Sequence, residues 1–213
     1  MHFIPDLALL LPFTVAGIIL AITPGPDMTL FVGRALSEGT RSGIACMAGA
    51  MTGLLVHTVL VAAGLSALIV AAPTAFLLLK LAGALYLLWL AWQALRKGSA
   101  FSPDVAPRSP RPWLHNWLTG VSIDLLNPKV VLFFLTFLPQ FVSASDPHAP
   151  GKLIFFGFWL VALSILICLP MVLAAGRLAA ILRGNPRVTR AIDWLFAGIF
   201  SAFAVRILLT EGR

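Results

Sequence analysis

Four ionisable side chains stand inside long apolar runs: Asp27, His57, Asp124 and Lys129. Two of them adjoin prolines, and a third lies four residues before one. Asp27 closes the run Thr23-Pro24-Gly25-Pro26-Asp27, and Asp124-Leu125-Leu126-Asn127-Pro128-Lys129 carries the other two. Proline at the first position of a helix loses no hydrogen bond, and Asn127 before Pro128 is a good N-cap. Gly25 can play the same part before Pro26. Both motifs therefore read as a helix that stops and restarts. A restarting helix turns unpaired N–H groups and the positive end of its dipole into the gap, where an anionic group such as a carboxylate fits.

At a shift of about one hundred residues, Pro26-Asp27-Met28-Thr29-Leu30-Phe31 lies over Pro128-Lys129-Val130-Val131-Leu132-Phe133. The matched position holds Asp27 in one half and Lys129 in the other. A charge at the centre of a lipid-spanning helix costs about 2.5–3.5 kcal/mol, so each calls for a partner or a wet cavity. Either the two face one another, or each is a separate helix-end charge that reaches water. If they pair, reversing both should restore what reversing either one loses. Asp124 has no charged twin. It can hold a substrate ammonium, carry a proton, or make a structural bond to neighbouring backbone. Ala45, Gly49, Gly53 and His57 recur every four residues, so they share one helix face, and Gly49-xxx-Gly53 marks close packing. His57 therefore points at another helix, as a core histidine or a proton relay.

The elements that must position these groups are membrane spans. The chain has 213 residues, of which 60% are hydrophobic and 11% charged. A soluble domain carries roughly a quarter charged residues. Apolar segments run from about Leu7 to Val32 across the first break, Gly43 to Ala71, Ala75 to Leu95, Trp117 to Val142 across the second break, Leu153 to Gly176, and Trp194 to Leu209. The fold class is an all-α membrane protein with six transmembrane helices, the first and fourth broken by proline. Residues 1–213 form one polytopic domain, with half-repeats at about 1–97 and 112–213 and a breaker-rich linker at 98–111. Three crossings per half make the repeats inverted. The first apolar run lacks a basic leader and a small-residue cleavage site, so it is expected to remain in the mature protein.

The net charge of +7 resides in short loops, which excludes nucleic acid as a partner. Arg34, Arg41, Arg96, Lys97, Arg108, Arg111, Arg177, Arg183, Arg187 and Arg190 fall on one side, which marks it as cytoplasmic and puts both termini outside. Trp89, Trp92, Trp113, Trp117 and Trp194 fall near that boundary, as an aromatic belt does. Cys46 and Cys168 lie in apolar runs without metal-ligand spacing and read as buried thiols. No HExxH, GxSxG or Walker-type glycine loop is present, so no cofactor, no metal and no enzymatic activity are expected, and a gradient must drive any transport.

The stretches Ile22-Thr23-Pro24-Gly25-Pro26-Asp27-Met28, Gly49 to His57, Leu81 to Trp92, Leu126-Asn127-Pro128-Lys129 and Phe134 to Phe141 resemble the LysE/RhtB translocator family of bacterial amino-acid exporters. The resemblance covers nearly the whole chain, and His57 places it closer to the homoserine/threonine branch than to the basic-amino-acid branch. It implies a homodimeric, multi-pass protein of the bacterial inner membrane that exports amino acids or close derivatives by proton antiport. The family's two proline motifs map onto Pro24, Gly25, Pro26 and Asp27 and onto Asn127, Pro128 and Lys129, which are the substrate-binding residues implied; Asp124, near one turn before Asn127, joins them on the reading of the residues themselves. Asp27, Asp124 and His57 are the proton-coupling candidates. Segment five departs from the family's polar pattern at Cys168-Leu169-Pro170-Met171, which points to a more apolar substrate than homoserine or threonine. The rival readings are a metal-cation exporter on a related scaffold and a membrane enzyme that transports nothing.

Overall fold

The computed structural model describes residues 5–23, 25–71, 81, 85, 88–89, 92, 108–143, 146–177, 185, 187, 190–191, 194–195, 197–198, 201–202 and 205. Among them the regular structure is helical, with no strand. Helix α1 spans Leu7–Ile22, α2 Pro26–Glu38 and α3 Thr40–Ala71. Helix α4 spans Trp113–Leu125 and α5 Pro128–Leu132; a π-helical turn, Phe133–Phe137, and a 3-10 turn, Leu138–Phe141, continue α5. Helix α6 spans Ala149–Leu173. The third expected segment lies almost wholly outside the described residues, as do Pro24, parts of the sixth segment and most of the linker.

Two stretches, Thr40–Gly64 and Ala149–Leu173, are each long and apolar enough to cross a membrane at 25 residues. At 1.5 Å per residue each reaches about 37 Å, against a hydrocarbon core of about 30 Å. Two further helix pairs bend at the proline breaks, and each pair is long and apolar enough to cross a membrane if it counts as one span. Helices α1 and α2 meet at 49°, and α4 meets the helical stretch after Asn127 at 51°. Both bends have the same cause. Proline offers no N–H to the carbonyl four residues back, so the helix before it ends and a new one starts.

Apolar side chains lie on the outside as well as within. Leu7, Leu11, Val15, Val59, Leu60, Leu114, Leu118, Phe158, Leu166 and Leu173 are exposed. Apolar surface repeated along α1, α3, α4 and α6 suits lipid better than water. Inside, Phe13, Phe133, Phe137, Phe141 and Phe156 form one aromatic cluster, with Phe13 and Phe156 ring centroids 4.4 Å apart. The tightest crossing joins α3 to α4. A Cβ on Gly49 would strike the main chain at Trp117, and one on Gly120 would strike the main chain at Cys46. Only hydrogen at those positions lets the two backbones meet. A single residue, Gly39, joins α2 to α3. Its φ of 92° lies in the left-handed region that favours glycine.

Candidate functional site

The first break is filled by a side chain from the second half. In an unbroken helix, the carbonyl of Leu20 would accept from the N–H of residue 24, and residue 24 is a proline. The Lys129 ammonium takes that place, 3.2 Å from the Leu20 oxygen and 3.1 Å from the Thr23 oxygen. It also donates to Asp27, 3.2 Å and 3.3 Å from the two carboxylate oxygens. Asp27 and Lys129 therefore face one another, and the lysine is 3% exposed. The dipoles agree with this arrangement. The cation sits at the negative end of α1, and Asp27 sits in the first turn of α2, at its positive end. Gly25 leaves the room. A Cβ there would lie 2.7 Å from Asp27 Oδ1 and 3.0 Å from Lys129 Nζ.

The second break follows the same rule with different residues. Pro128 withholds the N–H that the Asp124 carbonyl would accept from residue 128, and the His57 ring hydrogen-bonds the Asp124 backbone from α3. Asn127 caps the restarted helix, its Oδ1 accepting from the Lys129 N–H at 3.1 Å. His57 also stacks on Phe134, ring centroids 5.4 Å apart and planes 27° apart. At the first break a side chain from another helix answers carbonyls that proline left short of a donor, whereas at the second the Asn127 N–H also reaches the Asp124 carbonyl, at 3.0 Å.

Three polar atoms near the second break stay unpartnered among the described residues: Asp124 Oδ2, Asn127 Nδ2 and His57 Nε2. All three residues are buried. The Asp124 carboxyl lies against Gly53, where a Cβ would overlap it, and within electrostatic reach of Asp27 and Lys129. The set holds one acceptor-only group, one amide donor and one imidazole nitrogen. Buried polar groups of this kind are usually hydrogen-bonded, and leaving one unmade costs about 1–3 kcal/mol. A ligand carrying a donor and an acceptor a few ångströms apart matches them.

Most of the chain matches known proteins. The family model described as LysE type translocator matches residues 18–211. The chain belongs to the LysE type translocator family. A homoserine/homoserine lactone efflux protein of Salmonella typhimurium is 31% identical over 196 residues, 92% of each chain. A threonine efflux protein of Salmonella typhi is 27% identical over 95% of this chain and 100% of its own. A leucine efflux protein of an Enterobacter species is 25% identical over 92% of each chain. No solved structure matches. Both breaks lie inside the matched LysE type translocator region.

Of the residues singled out in the sequence, Gly25, Asp27 and Lys129 meet at the first break, and Asp124, Asn127 and His57 at the second. Lys129 belongs to both, because its main-chain N–H donates to the Asn127 cap and its ammonium crosses to α1. Pro24 lies outside the described residues, and no side-chain geometry is described for Pro128. Cys168 is buried beside the first break, its thiol 3.9 Å from the Ala21 oxygen. Sequence reasoning missed the carbonyls of Leu20 and Thr23, the ring of Phe134 and the role of Gly53 against Asp124. It also missed Glu38, a buried acid at the far end of α2. An Arg34–Glu38 spacing of four was its only sequence signal.

Proposed function

We propose that this LysE family member exports neutral amino acids or close derivatives across the bacterial inner membrane, by proton antiport and alternating access around the two breaks. Six spans in two inverted halves, both termini outside, and a homodimer complete the reading. The observation that carries it is the unpartnered set of Asp124, Asn127 and His57 beside a neutral Asp27–Lys129 pair. The substrate ammonium goes to Asp124, whose charge nothing else in the set balances. The substrate carboxylate goes to the Asn127 amide and the restarted helix, next to Lys129. Lys129 has three protons and four oxygens already within 3.3 Å, so it contributes field more than free donors. Asp124, Asp27 and His57 are the groups that exchange the proton, with Asp124 able to hold either a proton or an ammonium but not both.

The relatives support the substrate class, being homoserine, threonine and leucine efflux proteins. The thiol of Cys168 beside the first break favours the apolar end of that range, because a thiol is a weak hydrogen-bonding group. Vesicles loaded with labelled leucine, threonine or homoserine test the proposal under an imposed proton gradient. Flux should follow the gradient, with leucine ahead of homoserine, and Asp124→Asn should abolish it while the protein still elutes as a folded species. Flux indifferent to the gradient would remove the coupling. A fully active Asp124→Asn would remove the site.

A further inference from the structure

We infer that Glu38 is the centre of an ionic latch that closes one end of the bundle, between α2 and α4. The latch lies away from both breaks. The Glu38 side chain is 0% exposed, although Glu38 is the last residue of its helix. Its carboxylate is paired to Arg34 on the same helix. The other partners come from across the chain. The Arg111 main-chain N–H donates at 3.1 Å, the Asn116 amide donates at 3.4 Å, and Arg111 Nε lies 3.7 Å away. The Arg108 N–H donates to the Ser37 carbonyl at 2.8 Å. Every described hydrogen bond between α2 and the 108–125 stretch gathers here.

The placement gives the cluster a role. Helix α2 begins at the Asp27–Lys129 contact and ends at Glu38. Helix α4 places Asn116, in its first turn, beside Glu38 and runs on past Asp124 at the second break. The two helices flank the proposed site and are bonded to each other at the end remote from it. Helix α4 is also fastened to α3 through the Gly49 and Gly120 crossing, and α2 rests on α3 at Gly43, with Gly39 joining the two helices next to the latch. A movement of Arg111 and Asn116 away from Glu38 frees α2 and α4 from each other at this end, and the route from the site to this end opens. The buried carboxylate must then reach water, so the latch has two discrete states. The inference rests on the transport reading for its meaning and on geometry alone for its existence.

The test uses a native thiol as reporter. In a Cys46→Ser background, Cys168 is buried beside the first break and reacts slowly with a membrane-impermeant maleimide. Glu38→Ala should raise the labelling rate from the α2–α4 side by about tenfold or more, the shift that about 1.4 kcal/mol gives, and leave labelling from the other side unchanged. Glu38→Gln keeps an acceptor and should fall between. If Glu38→Ala fails to accumulate, Arg111→Ala and Asn116→Ala each remove one cross-helix partner and are read in the same way. Unchanged labelling in folded variants, or equal gains from both sides, overturns the latch. A Ser37→Cys/Arg108→Cys pair, oxidised across the 2.8 Å contact, should stop flux, and reductant should restore it. Labelling needs no substrate, so a protein that moves no amino acid but labels as expected keeps the latch and loses the transport reading.

Discussion

Lys129 carries one ammonium and faces four oxygens, two of them carbonyls that a proline break left without their usual donors. That inventory ranks the substitutions. Lys129→Met strands Asp27 and both carbonyls together, and removing one member of a buried pair costs about 3–5 kcal/mol. Asp27→Asn leaves the ammonium on the carbonyls of Leu20 and Thr23, so it should cost about 1.5–3 kcal/mol at most. Thermal unfolding in detergent should place Lys129→Met well below Asp27→Asn. Pairing alone suggests that exchanging the two charges restores function, and the geometry predicts otherwise. Asp at 129 would face the carbonyls at the end of α1, and Lys at 27 would sit at the positive end of α2. The double exchange should therefore remain as unstable as the single reversals. Lys129→Arg should also fail, because the space beside Gly25 fits a compact ammonium and not a planar fork. Asp146, in the loop before α6, gives a second residue-scale test. Its carboxyl is held below the usual carboxylate value, first by the hydrogen bond from Lys152 at 2.5 Å and then by the His148 N–H. A depressed value means the contribution to stability is complete above the ordinary carboxylate range and is lost as pH falls through the lowered value. The melting temperatures of wild type and Asp146→Asn should differ at neutral pH and converge in acid.

Among the elements, the α3–α4 crossing is the least forgiving. Gly49→Ala and Gly120→Ala each set a methyl group on the opposing main chain, which cannot turn aside as a side chain can. Overpacking of this kind costs about 1–3 kcal/mol. Gly64→Ala is the control on the same α3, because no described residue comes within 4 Å of its Cβ position, and helix propensity favours the alanine by about 1 kcal/mol. Unfolding midpoints should fall for the first two and hold or rise for the third. The long apolar runs and their breaks were legible because length and proline act locally: α1, α2, α3, α4 and α6 lie where the apolar pattern puts them. The Asn127 cap was legible for the same reason, since an amide before proline has one nearby N–H to satisfy. The winding after α5 was not. Residues 133–141 read as continued α-helix, yet the Leu138 N–H reaches the Phe133 carbonyl, five residues back, and Pro139 then has no N–H to give. Glu38 escaped because its cross-helix partners are 73 and 78 residues away, so the sequence gives it the look of an ordinary helix-end charge.

At the scale of the whole molecule, the latch, the site and the membrane have to be set in one direction. The end of the bundle where α2 finishes carries Arg34, Arg41, Arg108 and Arg111, and the end where α1 and α6 begin carries Lys152 beside Asp146. Lys and Arg in short loops are retained on the cytoplasmic side, where acids count for little. On that proposed orientation, the latch closes the route from the cytoplasm. The Phe13, Phe133, Phe137, Phe141 and Phe156 cluster packs toward the opposite end. An exporter loading from inside must open the charged end first. On the proposed reading of six spans, the charge pattern puts both termini outside. Alkaline phosphatase fused after Arg213 should be active and green fluorescent protein at the same point dark, with an N-terminal tag reached by impermeant reagent in spheroplasts. A C-terminus found inside with the N-terminus outside would mean an odd number of spans, and the two halves could not be inverted copies of three crossings each. Both termini inside would keep the even count and reverse the direction, so that the Glu38 latch would close the exit and the aromatic cluster the entrance.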